Sequence, residues 1–183
     1  MNTIHLKKTH FLVLFVCFSF SLTSYAQIGG WNVDLEKDCN EALSEMIKKV
    51  GKLQTFKDKA YGYAIYPKIT KAGLVIGGAG GKGLVYKGNQ IVASSKLGQA
   101  SFGLQAGGQQ YAEVIFFENQ DSFERFKSGK LKFNAQASAT AITEGASADF
   151  SYQGGVAVFT MVEGGLMVEA SIGGQHFSYD AVQ

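Results

Sequence analysis

Residues 73–94, GLVIGGAGGKGLVYKGNQIVAS, decide the fold. An apolar run from Gly73 to Gly77 meets five glycines in seven positions: Gly77, Gly78, Gly80, Gly81 and Gly83. Leu84–Lys87 and Ile91–Ser94 then flank Gly88-Asn89, a two-residue hairpin turn. Glycine weakens helix interiors, so this density argues for strands that bend and approach one another closely. The glycine cluster itself reads as a junction between two strands. Outward from it, Tyr61–Tyr66 alternates aromatic with small residues and stops at Pro67. Ala100–Ala106, Ala112–Phe117, part of Leu131–Thr143, Tyr152–Val162 and Leu166–Ile172 are further strand candidates. Upstream, Leu35, Cys39, Leu43, Met46, Ile47, Val50 and Leu53 recur at steps of three and four, an amphipathic helix over Asp34–Leu53. Asp121-Ser122-Phe123-Glu124 has capping-box spacing and opens a short helix closed by Gly129. The expected class is α+β. It comprises about seven strands in a strongly curved, glycine-rich sheet or small barrel, an N-terminal amphipathic helix and one short mid-domain helix.

The chain has 183 residues, enough for one domain; 46% hydrophobic content against 17% charge excludes a disordered protein. A formal charge of +2 excludes nucleic-acid binding through bulk positive charge. His5, Lys7, Lys8 and His10 precede the charge-free apolar run Phe11–Leu22, and Ser24-Tyr25-Ala26 sets small residues before a cleavage point at Gln27. Twelve residues span about 18 Å as helix, short of the roughly 30 Å of a bilayer core. Residues 1–26 therefore read as a signal peptide, 27–59 as an N-terminal helical segment and 60–183 as the glycine-rich β domain. The expected location is periplasmic or extracellular, with peripheral membrane association. Beyond the leader only Cys39 remains of the two cysteines, which leaves no intrachain disulfide and gives it the role of a small apolar helix residue.

Removing Lys7 and Lys8 with the leader leaves equal numbers of bases and acids, unevenly distributed. Residues 27–45 carry five acids and one base; residues 46–96 carry ten lysines and one acid, Asp58; residues 97–183 carry nine acids and four bases. The central block points to an anionic partner. Part of the asymmetry also suits the first helix, with Asp34, Glu36 and Asp38 at its positive end and Lys48, Lys49 and Lys52 at its negative end. Tyr61, Tyr63 and Tyr66 beside Lys57, Lys59 and Lys68 fit a lipid headgroup boundary, and fit an ordinary half-buried strand as well.

The motifs of catalysis are not met. Gly78-Ala79-Gly80-Gly81-Lys82-Gly83 satisfies G-x-G-x-x-G, but a dinucleotide site needs a helix next and an acid about 20 residues on. Leu84-Val85-Tyr86 reads as strand, and Gln99, Ala100 and Ser101 stand where the acid would be. In the phosphate-loop pattern Ile76 and Gly83 replace the first glycine and the magnesium-binding hydroxyl. No G-x-S-x-G occurs, His176 is the only histidine past the leader, and Cys39, His176 and the carboxylates lack metal-ligand spacing. No catalytic residue, metal or cofactor is expected.

Ala60–Tyr179 resembles the SYLF-domain family, also described as the lipid- and actin-binding domain of yeast actin-patch proteins. The likeness rests on Ala64-Ile65-Tyr66-Pro67, Lys71-Ala72-Gly73-Leu74-Val75-Ile76-Gly77-Gly78, Gly80-Gly81-Lys82-Gly83 and Gly103-Leu104-Gln105-Ala106-Gly107. It continues in Gly165-Leu166, Ser171, Gly173 and Tyr179. The resemblance implies a non-enzymatic domain that binds phosphoinositides through a basic N-terminal helix and, in some members, binds actin. Here that helix is basic only at its end, Ser94–Gly98 replaces the family's tryptophan-serine-proline patch, and Glu144–Ser147 replaces a basic segment. Actin is not expected as the partner of an exported chain. The expected function is docking on anionic phospholipid membranes through Lys48, Lys49, Lys52, Lys68, Lys71 and Lys82. The alternative is an envelope structural domain that self-associates or binds a protein partner.

Overall fold

A computed structural model describes residues 33–73, 76–102, 107–131, 140–142, 151–162, 165–168 and 175–182. The expected signal peptide lies outside these residues, as do parts of the expected strands at 103–106, 132–139 and 169–172 and the segment Glu144–Ser147. Two helices, α1 (Val33–Lys49) and α2 (Lys52–Lys59), lead into β1 (Gly62–Gly73), β2 (Ile76–Lys87), β3 (Gln90–Phe102) and β4 (Gly107–Phe117). After α3 (Gln120–Lys127) come β5 (Thr140–Ile142), β6 (Val156–Val162), β7 (Gly165–Val168), β8 (Gln175–Phe177) and β9 (Asp180–Ala181). The class is α+β, with the strands in one strongly curled antiparallel half-barrel. Strand order is β5-β7-β6-β4-β1-β2-β3-β8, and β9 also pairs with β3.

Over one half of its length the sheet is buried on both faces, which explains why its central strands carry apolar residues at successive positions there. On one face Tyr63, Ile65, Leu84, Tyr86, Val114, Phe116 and Phe159 meet Cys39, Leu43, Met46, Leu53 and Phe56 of the first two helices. On the other, Ala64, Tyr66, Ile69, Val85, Leu97, Ile115, Phe117 and Val158 meet Phe123 and Phe126 of α3. Cys39 is fully buried, and its Sγ–H donates to the Ile65 carbonyl at 3.6 Å. Burial pushes its thiol up to about 12, so it packs as an apolar residue.

Several local expectations are corrected. The first helix ends at Lys49, and a second begins at Lys52 after Gly51, so the periodic stretch is two helices. Pro67 does not stop β1: the register shifts between Ile65 and Lys68 against β2, and between Tyr66 and Ile69 against β4. The missing N–H of proline falls at a bulge, where a ladder bond is not required. The glycine cluster is not a junction either but the middle of β2. A Cβ at Gly83 would overlap the Ile65 carbonyl and the Tyr66 ring, so glycine there lets β2 lie against the bulge. The capping box of α3 belongs to Asn119, whose side chain accepts from the Ser122 N–H at 3.0 Å, rather than to Asp121. Gly129, at φ +65, does close that helix. Gly88-Asn89 is the expected hairpin turn, with positive φ at Gly88 alone, the type II′ arrangement.

Candidate functional site: a lysine row on the sheet

Side chains of cross-strand partners in an antiparallel sheet lie on the same face. The bulge in β1 resets the alternation, since both Tyr66 and Ile69 enter the α3-side core. Lys68 therefore shares the face of Ile65 and Leu84, which α1 covers further along. Lys68 is the partner of Lys82, and Lys82 of Lys96. Three exposed lysines thus stand side by side on three neighbouring strands, spaced by about 4.8 Å per strand. Like charges placed opposite one another oppose folding, on the scale of the roughly 0.2–1 kcal/mol that cross-strand pairs carry. Among the described residues these three ammonium groups take part in no ion pair, whereas Lys37–Glu41, Lys49–Glu45 and Arg125–Asp121 pair within the helices.

The row ends toward β4 at an open depression of about 420 Å³, lined by Lys68, Pro67, Tyr111 and Met161 and, from α1, by Glu45 and Lys49. Beyond the row α1 no longer covers the sheet: Thr70, Gly80, Gly98, Ala72, Gly78 and Ala100 are all exposed on this face. The far edge is held in place by a hydrogen-bond chain. Tyr66 and Ser95 hydroxyls share a bond of 2.7 Å, Ser95 donates to the Ser178 carbonyl at 2.6 Å, and the Lys96 N–H donates to Ser178 Oγ at 3.0 Å. Burial holds the Tyr66 phenol well above its ordinary range, so it serves here as a neutral hydrogen-bonding group. This lock sets β8 against β3 with His176 opposite Gly98, exposed.

Of the six lysines read from the sequence, the structure brings Lys68 and Lys82 together and places Lys49 on the same depression as Lys68. Lys71 has the parity of Ile69 and lies on the opposite face. Lys48 and Lys52 are exposed at the end of α1 and the start of α2. Lys96 was missed. Counting outward from the Gly88-Asn89 turn sets residue 95 opposite Lys82; a bulge between Val85 and Tyr86 shifts the register by one and brings Lys96 there instead. The G-x-G-x-x-G string lies inside β2 and continues as strand, so no helix N-terminus meets it.

The helix-facing side of the curled sheet thus has one half covered by helices and one exposed, basic half. Residues 98–181 match the model of the Ysc84 family, described as Las17-binding protein actin regulator. The chain is also 30% identical over 131 residues to Beta cell expansion factor A of Aeromonas veronii. That alignment covers 67% of this chain and 47% of the other, so the chain spans about half the length of the curated relative. These two likenesses support membership of the Ysc84 (SYLF) family. The family is one of lipid-binding and actin-regulating domains and is a binding family rather than a known enzyme family.

Proposed function

We propose that this protein is an exported, non-catalytic module that docks on anionic phospholipid membranes through the face carrying Lys68, Lys82 and Lys96, with Lys49 beside them. The observation that carries this reading is the cross-strand row of like charges, exposed and without carboxylate partners among the described residues. Such a row opposes folding of the free protein and is relieved when an anionic surface supplies the counter-charge. Near an anionic bilayer each lysine contributes about 1 kcal/mol, so the three of the row give reversible, salt-sensitive docking, with Lys49 shared with Glu45 beside them. Among the described residues no helix is long and apolar enough to cross a membrane, which is consistent with peripheral attachment. Cosedimentation with phosphatidylglycerol vesicles, weakened by added salt and not seen with phosphatidylcholine vesicles, is the expected result. Equal recovery with both vesicle types contradicts the reading.

A protein partner is the second reading, favoured by the family's own description as a Las17-binding protein. Sedimentation velocity and capture with other envelope proteins test it. A protein that docks on lipid as a strict monomer counts against self-association.

A further inference from the structure

Gly98 stands in the interior of β3, where its φ is not positive and a Cβ built on it would meet no atom within 4 Å among the described residues. Its partner across the hairpin, Gly80, is similar: its φ is not positive, and a Cβ would find only the Leu97 carbonyl, at 3.6 Å. The neighbouring glycines of the other face differ, since a Cβ at Gly81 would stand 2.8 Å from the Lys68 carbonyl and one at Gly83 would overlap Ile65 and Tyr66. Glycine weakens a strand interior; where neither φ nor a protein neighbour requires it, it eases the bend of a curled sheet or leaves backbone open to close approach, and a bare, exposed pair does the second.

What could approach is set by the frame. Across the strands the Gly80–Gly98 pair is bounded by Thr70, the partner of Gly80 on β1, and by His176, the partner of Gly98 on β8. Along the strands, on the same face, the next residues are Lys82 and Lys96. All four side chains are exposed. A floor of bare backbone is thus ringed on three sides by two ammonium groups, a hydroxyl and an imidazole, a set that suits a small anionic group carrying further polar atoms.

We propose that the Gly80–Gly98 window seats the headgroup of one anionic phospholipid, its phosphodiester held by Lys82 and Lys96 and its remaining polar atoms facing Thr70 and His176. This rests on the docking reading above and adds a defined one-to-one site to it. The test is a titration of the purified protein with dihexanoyl phosphatidylglycerol below its micelle concentration, followed by the amide resonances of Gly80 and Gly98. Dihexanoyl phosphatidylcholine and inorganic phosphate are the comparison probes. Both resonances are expected to shift with the anionic lipid, at an affinity at least tenfold above either comparison probe. Gly98→Ala is expected to raise the melting temperature and to weaken this binding at least fivefold. Gly98→Leu should abolish it. Lys82→Ala should weaken both this binding and cosedimentation with phosphatidylglycerol vesicles. Should leucine perturb the sheet, Gly98→Ala keeps the test decisive. The window is refuted if Gly98→Ala binds the short lipid as the parent does, or if phosphate alone binds as tightly as the lipid. Persistent vesicle docking in either case shows that only the window has failed; loss of docking by the parent protein shows that the underlying reading has.

Discussion

The helix-facing side of the sheet has two halves built from the same three strands. In one, Tyr63, Ile65, Leu84 and Tyr86 are buried under α1 and α2 and add to a core of stacked and edge-on rings around Phe56 and Phe116. In the other, further along the same strands, large side chains give way to Lys68, Lys82 and Lys96 and then to Thr70, Gly80 and Gly98. Burial is optimised in the first half. In the second the fold tolerates like-charge opposition and strand glycines, both of which cost stability. The first half is explained by folding alone, whereas the second is the half that the proposed docking face occupies.

The largest effect that separates the halves is a cavity in the covered one. Phe56 touches Phe116, Tyr152 and Phe159, and Phe56→Ala should remove about 3–5 kcal/mol in urea melts while folded protein still docks on vesicles. Alkali should act on the same half. Burial raises Cys39, Tyr63 and Tyr152 each to about 12, from 9.0 for the thiol and 10.0 for the phenols. Their folded forms hold the proton more tightly than the unfolded chain does, so this stability is complete below about pH 9 and is lost as pH rises toward 12. Denaturant midpoints measured across that window should fall, and Tyr63→Phe should shallow the fall. In the bare half, Lys82→Ala should leave the urea midpoint nearly unchanged and lower vesicle affinity about fivefold, the worth of about 1 kcal/mol. The smallest effect has the opposite sign: Lys82→Glu places an acid between Lys68 and Lys96 and should raise stability by about 0.2–1 kcal/mol while abolishing docking. A Lys82→Glu protein that is both less stable and equally able to dock would erase the distinction between the halves.

Much of the fold was legible because local signals agreed with the tertiary outcome. Gly88-Asn89 between two apolar runs makes the turn it announces, and the three-and-four spacing from Leu35 to Leu53 faces the core it implies, although Gly51 divides the helix. What was not legible depended on register. Pro67 reads as a stop until pairing on both sides places it at a bulge, and the glycine cluster reads as a junction until the Ile65 carbonyl and Tyr66 ring are seen against it. The candidate site suffered from the same blindness. A surplus of lysine in residues 46–96 was plain, but periodicity counts residues along one strand. Two bulges decide which lysines meet across strands, bringing Lys96 into the row and sending Lys71 to the other face.

The most direct measurement compares two triple variants of equal charge on phosphatidylglycerol vesicles. One replaces Lys68, Lys82 and Lys96 by alanine; the other replaces Lys59, Lys87 and Lys130, exposed lysines outside the row. The row variant should lose cosedimentation at physiological salt while the second retains most of it. Equal losses in the two would mean that net charge alone governs the attraction and that the row has no part of its own.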